Sequence, residues 1–171
     1  DPEELERLSR STAETPWASM TYLPYALGGS RQTMPLHIYS HSGNSSLFEA
    51  DRDLVDAFGR GGNYELQVSV DVQVESLDSV IATEGISPPD HVKMDVQGWE
   101  LEILEGAETG LDAVLAARLE VAFMAIYRDQ PLFADIDSFM QSRGFALMGF
   151  PEMHAWRRTT RRKWPRRARG P

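Results

Sequence analysis

Apolar and polar residues alternate with a period of two over 20–27, 34–39 and 66–74, and follow the longer helical period over 77–82, 99–107 and 133–142. The first group predicts strands and the second helices. The strand over 20–27 runs into Gly28-Gly29, a turn, and the one over 34–39 precedes a polar loop over 40–46. Residues 66–74 alternate in the manner of a strand with one buried face. A short amphipathic helix is expected over 2–11, where Leu5 and Leu8 lie three apart and Pro2 stands where a first turn tolerates proline. Residues 51–63 follow neither period. After the Pro88-Pro89 break, the apolar runs 91–96 and 117–125 read as strands, the helix over 133–142 closes at Gly144, and 145–150 reads as a last short strand. Strands alternating with helices, nearly continuously apolar over 92–96 and 119–125, predict an α/β fold with a mainly parallel sheet and helices on both faces. Ligands of such folds sit at the C-terminal strand edges.

Composition narrows the classes. With 171 residues the chain suffices for one domain, and with no cysteine it has neither disulfides nor thiolate metal ligands. The net charge of −9 is uneven: eight of the seventeen basic residues follow Trp156, where no acidic residue occurs. The body therefore sets nine basic residues against all 26 acidic ones, which argues against nucleic acid as its partner. We expect a domain over 1–150 and a basic, disordered tail over 151–171. The start shows no signal-peptide pattern, and the most apolar run, 111–127, is interrupted by Arg118 and Glu120. No membrane span and a cytoplasmic location are expected.

Candidate chemistry is concentrated in Lys93-Met94-Asp95-Val96-Gln97-Gly98-Trp99-Glu100. Lys93 and Asp95 share one side of the 91–96 strand, near its C-terminal end, where idle burial of two charges would be expensive. Gly98 allows a tight strand-to-helix turn, and Glu100 falls in the first helical turn, where the helix dipole favours a carboxylate. Glu120 is a second lone acid on an apolar strand. If the two strands are parallel neighbours, Asp95 and Glu120 approach each other and one carboxyl pKa rises. Read from the residues alone, Lys93–Asp95 is equally a structural ion pair, and Glu100 and Glu120 equally members of a structural network. Asp78 reads as a helix-start residue, and Trp99, Phe123, Phe133 and Phe139 as core. Ser45-Ser46 reads as a polar loop. His37 and His41 flank a strand, which separates them by about 13 Å. No metal site is expected.

The pattern Lys-x-Asp-x-x-Gly-x-Glu, followed by Leu101-Glu102-Ile103-Leu104-Glu105-Gly106-Ala107 and Leu119-Glu120-Val121, resembles the FkbM-type methyltransferases. Ala26-Leu27-Gly28, Ser45-Ser46-Leu47, Ser76-Leu77-Asp78, Leu132-Phe133 and Arg143-Gly144-Phe145 add to the likeness, which covers roughly residues 1–148. The resemblance implies a Rossmann-like class I methyltransferase fold. It also implies S-adenosylmethionine as cofactor and a hydroxyl acceptor on a sugar or natural product. By the same token Asp95 stands beside the methyl group as base or orienter, Lys93 eases a developing alkoxide, Glu100 and Glu120 orient acceptor or base, and Ala26 and Leu27 hold the adenine. The family's glycine-rich loop is not among these residues, and Asp1-Pro2 resembles the end of its Glu-Pro-Asp-x element. The domain is thus expected to be N-terminally truncated, with an exposed sheet edge open to self-association. The alternative is a non-catalytic methyltransferase-like remnant, or binding module, with a basic tail.

Overall fold

The computed structural model describes residues 6–7 and 19–157. Apart from Glu6 and Arg7, the helix expected over 2–11 lies outside them, as does the tail beyond Arg157. The strands are β1 (Ala26–Gly28), β2 (Gln32–Tyr39), β3 (Leu66–Ser76), β4 (His91–Met94) and β5 (Ala116–Leu119). The helices are α1 (Arg52–Ala57), α2 (Leu77–Glu84), α3 (Glu100–Glu105) and α4 (Phe133–Ser142), with 3-10 turns at Ser42–Asn44, Gly61–Tyr64 and Gly110–Ala113.

The α/β character holds, but the described strands do not form one mainly parallel sheet. A three-stranded sheet has the order β1-β3-β2, and β4 and β5 form a separate parallel pair. Within the first sheet β1 and β3 are parallel, whereas β2 and β3 form the longest ladder, antiparallel, from Gln32 opposite Val74 to Tyr39 opposite Leu66. β1 reaches only Val74, Glu75 and Ser76 of β3. The outer half of β3 therefore has β2 as its strand neighbour and is not reached by β1. That explains one departure from the alternation: Leu66, Val68 and Val70 are exposed, while Val74 is fully buried.

Local chemistry fixes the ends of the elements. Asp51 caps α1 by accepting from Leu54 N at 3.1 Å, and Ser76 caps α2 by accepting from Ser79 N at 3.2 Å. α1 is six residues long, too short for its period to stand out over 51–63. β1 starts only at Ala26, two residues after Pro24, which offers the ladder no N–H. β5 ends at Leu119, earlier than the apolar run to 125, because the backbone beyond is committed elsewhere. Phe133 N donates to Ala122 O at 2.8 Å, and Ile126 N and Tyr127 N both donate to Gln130 Oε1. No strand forms over 145–150.

Two apolar clusters support the site. One gathers Met94, Trp99, Ile103, Leu104, Leu111, Ile136 and Met140 around α3 and α4. The other gathers Tyr39, Leu54, Val55, Tyr64 and Tyr127, and Phe48 packs against both. Gly106, at the end of α3, lies against β1: a Cβ there would stand 2.1 Å from Gly28 O. Trp99 is core as expected, whereas Phe123 is exposed and meets only Phe133 and Phe150 among the described aromatic rings.

Candidate functional site

The site is built where β4 turns into α3. Gln97 and Gly98 have φ of 56° and 101°, two consecutive left-handed residues that reverse the chain within one turn. The space over Gly98 is filled by Gln130, whose side-chain atoms lie 3.0–3.1 Å from where a Cβ would be. Glycine is therefore required at 98 both by conformation and by contact. Glu100, 2% exposed, turns its carboxylate back to accept from Val96 N at 3.0 Å. Burial pushes its pKa up, against the backbone donors that hold the charge.

Parallel pairing sets the two acids side by side. Met94 is opposite Leu119, and Glu120 N continues the ladder by donating to Met94 O at 3.0 Å, so that Glu120 follows Asp95 across the strand gap. Gln97 Nε2 donates to Asp95 Oδ1 at 3.0 Å and to Glu120 Oε2 at 2.9 Å. Lys93 Nζ lies 3.8 Å from Asp95 Oδ2. The hydrogen bond with Glu120 comes first among the causes that hold Asp95 below the usual carboxylate range, followed by Gln97 and Lys93. Desolvation, then the bond and charge of Asp95, raise Glu120 to about 7. Near neutrality the pair can therefore offer an ionised acceptor at Asp95 beside a carboxyl that exchanges its proton at Glu120.

The charges are not buried as the apolar run suggested. The Lys93 and Asp95 side chains are 59% and 50% exposed, so their ion pair is weak as a stabilising contact and both remain open to a ligand. They line one wall of a cleft of about 430 Å³ between β1 and β4, with Leu27, Leu77, Val96 and Ile103 as its apolar lining. Leu27, Lys93 and Asp95 are thus brought together. Ala26 does not line this cleft, Glu100 lies beneath the turn, and Glu120 reaches Asp95 through the Gln97 side.

Several contributors escaped the sequence reading. Gln97 occupied an unassigned position of the motif. Ser46, 1% exposed, donates to Gln97 O at 2.8 Å and accepts from Phe48 N at 3.0 Å, so this polar-loop residue braces the turn. Tyr127 and Gln130 stand behind it from the loop after β5. The one available signal was the polar run Tyr127-Arg128-Asp129-Gln130, which interrupts an apolar stretch. Asp78 does more than start a helix: its carboxylate accepts from Thr109 N at 2.8 Å and Gly110 N at 2.7 Å, tying α2 to the turn before β5. His37 lies on β2 with Nδ1 2.9 Å from Ser69 Oγ.

Among known families, the methyltransferase FkbM domain matches residues 2–147 of the chain. Searches of curated proteins and of solved structures gave no match. Among the described residues no helix is long and apolar enough to cross a membrane.

Proposed function

We propose that this chain, which belongs to the FkbM methyltransferase family, transfers a methyl group from S-adenosylmethionine to a hydroxyl of a sugar or natural product. The observation that carries this reading is the position of Asp95: it lies at the C-terminal end of β4, on the wall of the β1–β4 cleft, and is hydrogen-bonded through Gln97 to Glu120. A cleft of about 430 Å³ is within the range of small-molecule sites. Its donor set fits the cofactor: Leu27, Leu77 and Ile103 offer apolar surface to a purine, and Asp95 offers a carboxylate to a cationic centre. Leu27 and Asp95 would hold it, with Ala26 beside Leu27 on β1.

When bound, S-adenosylmethionine supplies an electrophilic methyl on a sulfonium. The chain must orient the acceptor and manage its proton. Asp95, kept ionised by its neighbours, accepts a hydrogen bond from the acceptor hydroxyl and takes its proton as the oxygen becomes nucleophilic. Lys93, 3.8 Å from Asp95, lowers the energy of the charge developing on that oxygen. Glu120, near 7, relays the proton from Asp95 toward solvent. Glu100 holds the β4–α3 turn, and so Asp95, through Val96 N. Fixing hydroxyl and carboxylate in one geometry supplies much of the acceleration.

The test is transfer of an isotope-labelled methyl group to a panel of sugars and polyhydroxylated natural products. Asp95→Asn should lose roughly 100-fold or more in rate while keeping its fold. Undiminished transfer by that variant would remove Asp95 from the mechanism. Cofactor binding without transfer to any hydroxyl would favour the non-catalytic alternative.

A further inference from the structure

We propose that Gln97 is the positioning residue of this site, a neutral bridge that holds the Asp95 and Glu120 carboxyl groups in one hydrogen-bonded unit. The proposal rests on the reading of Asp95 and Glu120 as the working acids. A side-chain amide has two N–H donors, and both are used here, one on each carboxyl group, at 3.0 and 2.9 Å. The opposite amide orientation would turn Oε1 toward two carboxyl groups that hold at most one shared proton, so the chemistry fixes which end faces them. Behind the bridge, Oε1 faces the Tyr127 hydroxyl at 3.3 Å. That hydroxyl has one proton and a closer acceptor in Asn44 O at 2.6 Å, so the contact with Gln97 is the weaker arm of a shared bond. Desolvation, with Tyr64 and Tyr39 near it, pushes the Tyr127 pKa up and keeps the hydroxyl a donor.

The backbone shows that this placement is imposed. A φ of 56° is uncommon and disfavoured for a residue with a Cβ. It is held by Ser46 Oγ on Gln97 O and by Gln130 packed over Gly98. Asparagine adopts this conformation more readily but is one methylene shorter and cannot span both acids. Glutamate has the length but adds a fourth carboxyl group beside Asp95, Glu120 and the buried Glu100. Methionine has the length and no donor. Length, neutrality and two donors together single out glutamine. The other charged groups facing the pair are Lys93 from β4 and Glu100 from α3, with Tyr127 and Tyr64 behind.

Carbon-13 carboxyl titration by NMR, on the chain without cofactor, tests the bridge. In Gln97→Met the Asp95 midpoint should rise by about one pH unit, a tenfold loss of acidity, with the amide spectrum otherwise native. An Asp95 midpoint that stays in place in a folded Gln97→Met protein overturns the proposal. If Gln97→Met does not fold, Gln97→Asn, at home in the left-handed region, is read by the same criterion. The readout does not depend on methyl transfer: an intact pair in a chain that transfers nothing counts against the proposed function alone. Transfer by Gln97→Met with the pH profile of the parent counts against the bridge alone.

Discussion

Replacing the half-buried Glu102 of α3 by glutamine isolates the energetic consequence of desolvating its carboxyl group. Desolvation raises the Glu102 carboxyl from an ordinary 4.5 to about 7, and its Oε2 has no hydrogen-bond partner. A folded-state pKa above the unfolded one means that the native protein binds the proton more tightly than the unfolded chain. The stability tied to this proton is fully present below about 4.5 and is lost as pH rises to about 7. At 1.36 kcal/mol per pH unit the ceiling is about 3 kcal/mol. Part of the side chain meets solvent, so screening reduces this to about 1–2 kcal/mol. Glu102→Gln is neutral at every pH and nearly isosteric. It should match the parent near pH 4.5 and exceed its stability by about 1–2 kcal/mol at pH 8, or about 2–8 °C in Tm for a domain of this size. Urea unfolding followed by tryptophan fluorescence at several pH values measures the difference directly. A gap that does not change with pH, or a glutamine variant less stable at pH 8, would refute the reasoning.

Three further outcomes follow from packing. Gly106→Ala sets a Cβ 2.1 Å from Gly28 O and 3.0 Å from Gly29 Cα, both backbone. It should cost about 3 kcal/mol or more in urea unfolding, and a loss below about 0.5 kcal/mol would show that β1 and α3 are not so close. Asp78→Ala leaves Thr109 N and Gly110 N without their acceptor and should destabilise by about 1–3 kcal/mol in the same assay, whereas Asp78→Asn should retain part of the bond. Trp156 lies against Phe58 and Tyr64 with the Arg60 guanidinium 5.4 Å from its ring centroid. Trp156→Ala should lower stability by about 1–3 kcal/mol and increase proteolysis near residue 150; an unchanged Tm would mean that this contact contributes little.

How far the sequence carries depends on whether a feature is local. The helix expected over 133–142 is found over the same residues because its period is strong and its ends are chemical: Asp135 accepts from Leu132 N, and Gly144 follows in a left-handed conformation. The approach of Asp95 and Glu120 was readable because parallel neighbours with apolar runs fix which residues face each other. The exposure of Leu66, Val68 and Val70 was not, since alternation says that one face is apolar and not whether another layer covers it. Nor was the mixed sheet, because β2 and β3 pair across a 26-residue connection (40–65) whose turns have no simple period. The role of Gln97 was hidden for a similar reason. Its partners Ser46 and Tyr127 come from two distant loops that only the fold brings together.

The central claim is most directly tested by calorimetric titration of S-adenosylmethionine into the chain and into Leu27→Glu, which places a charge in the apolar lining of the β1–β4 cleft. One-to-one binding by the parent chain, weakened at least tenfold in the folded variant, is the predicted result. No heat of binding with the parent chain, or equal binding by both, would contradict the assignment of this cleft as the cofactor site.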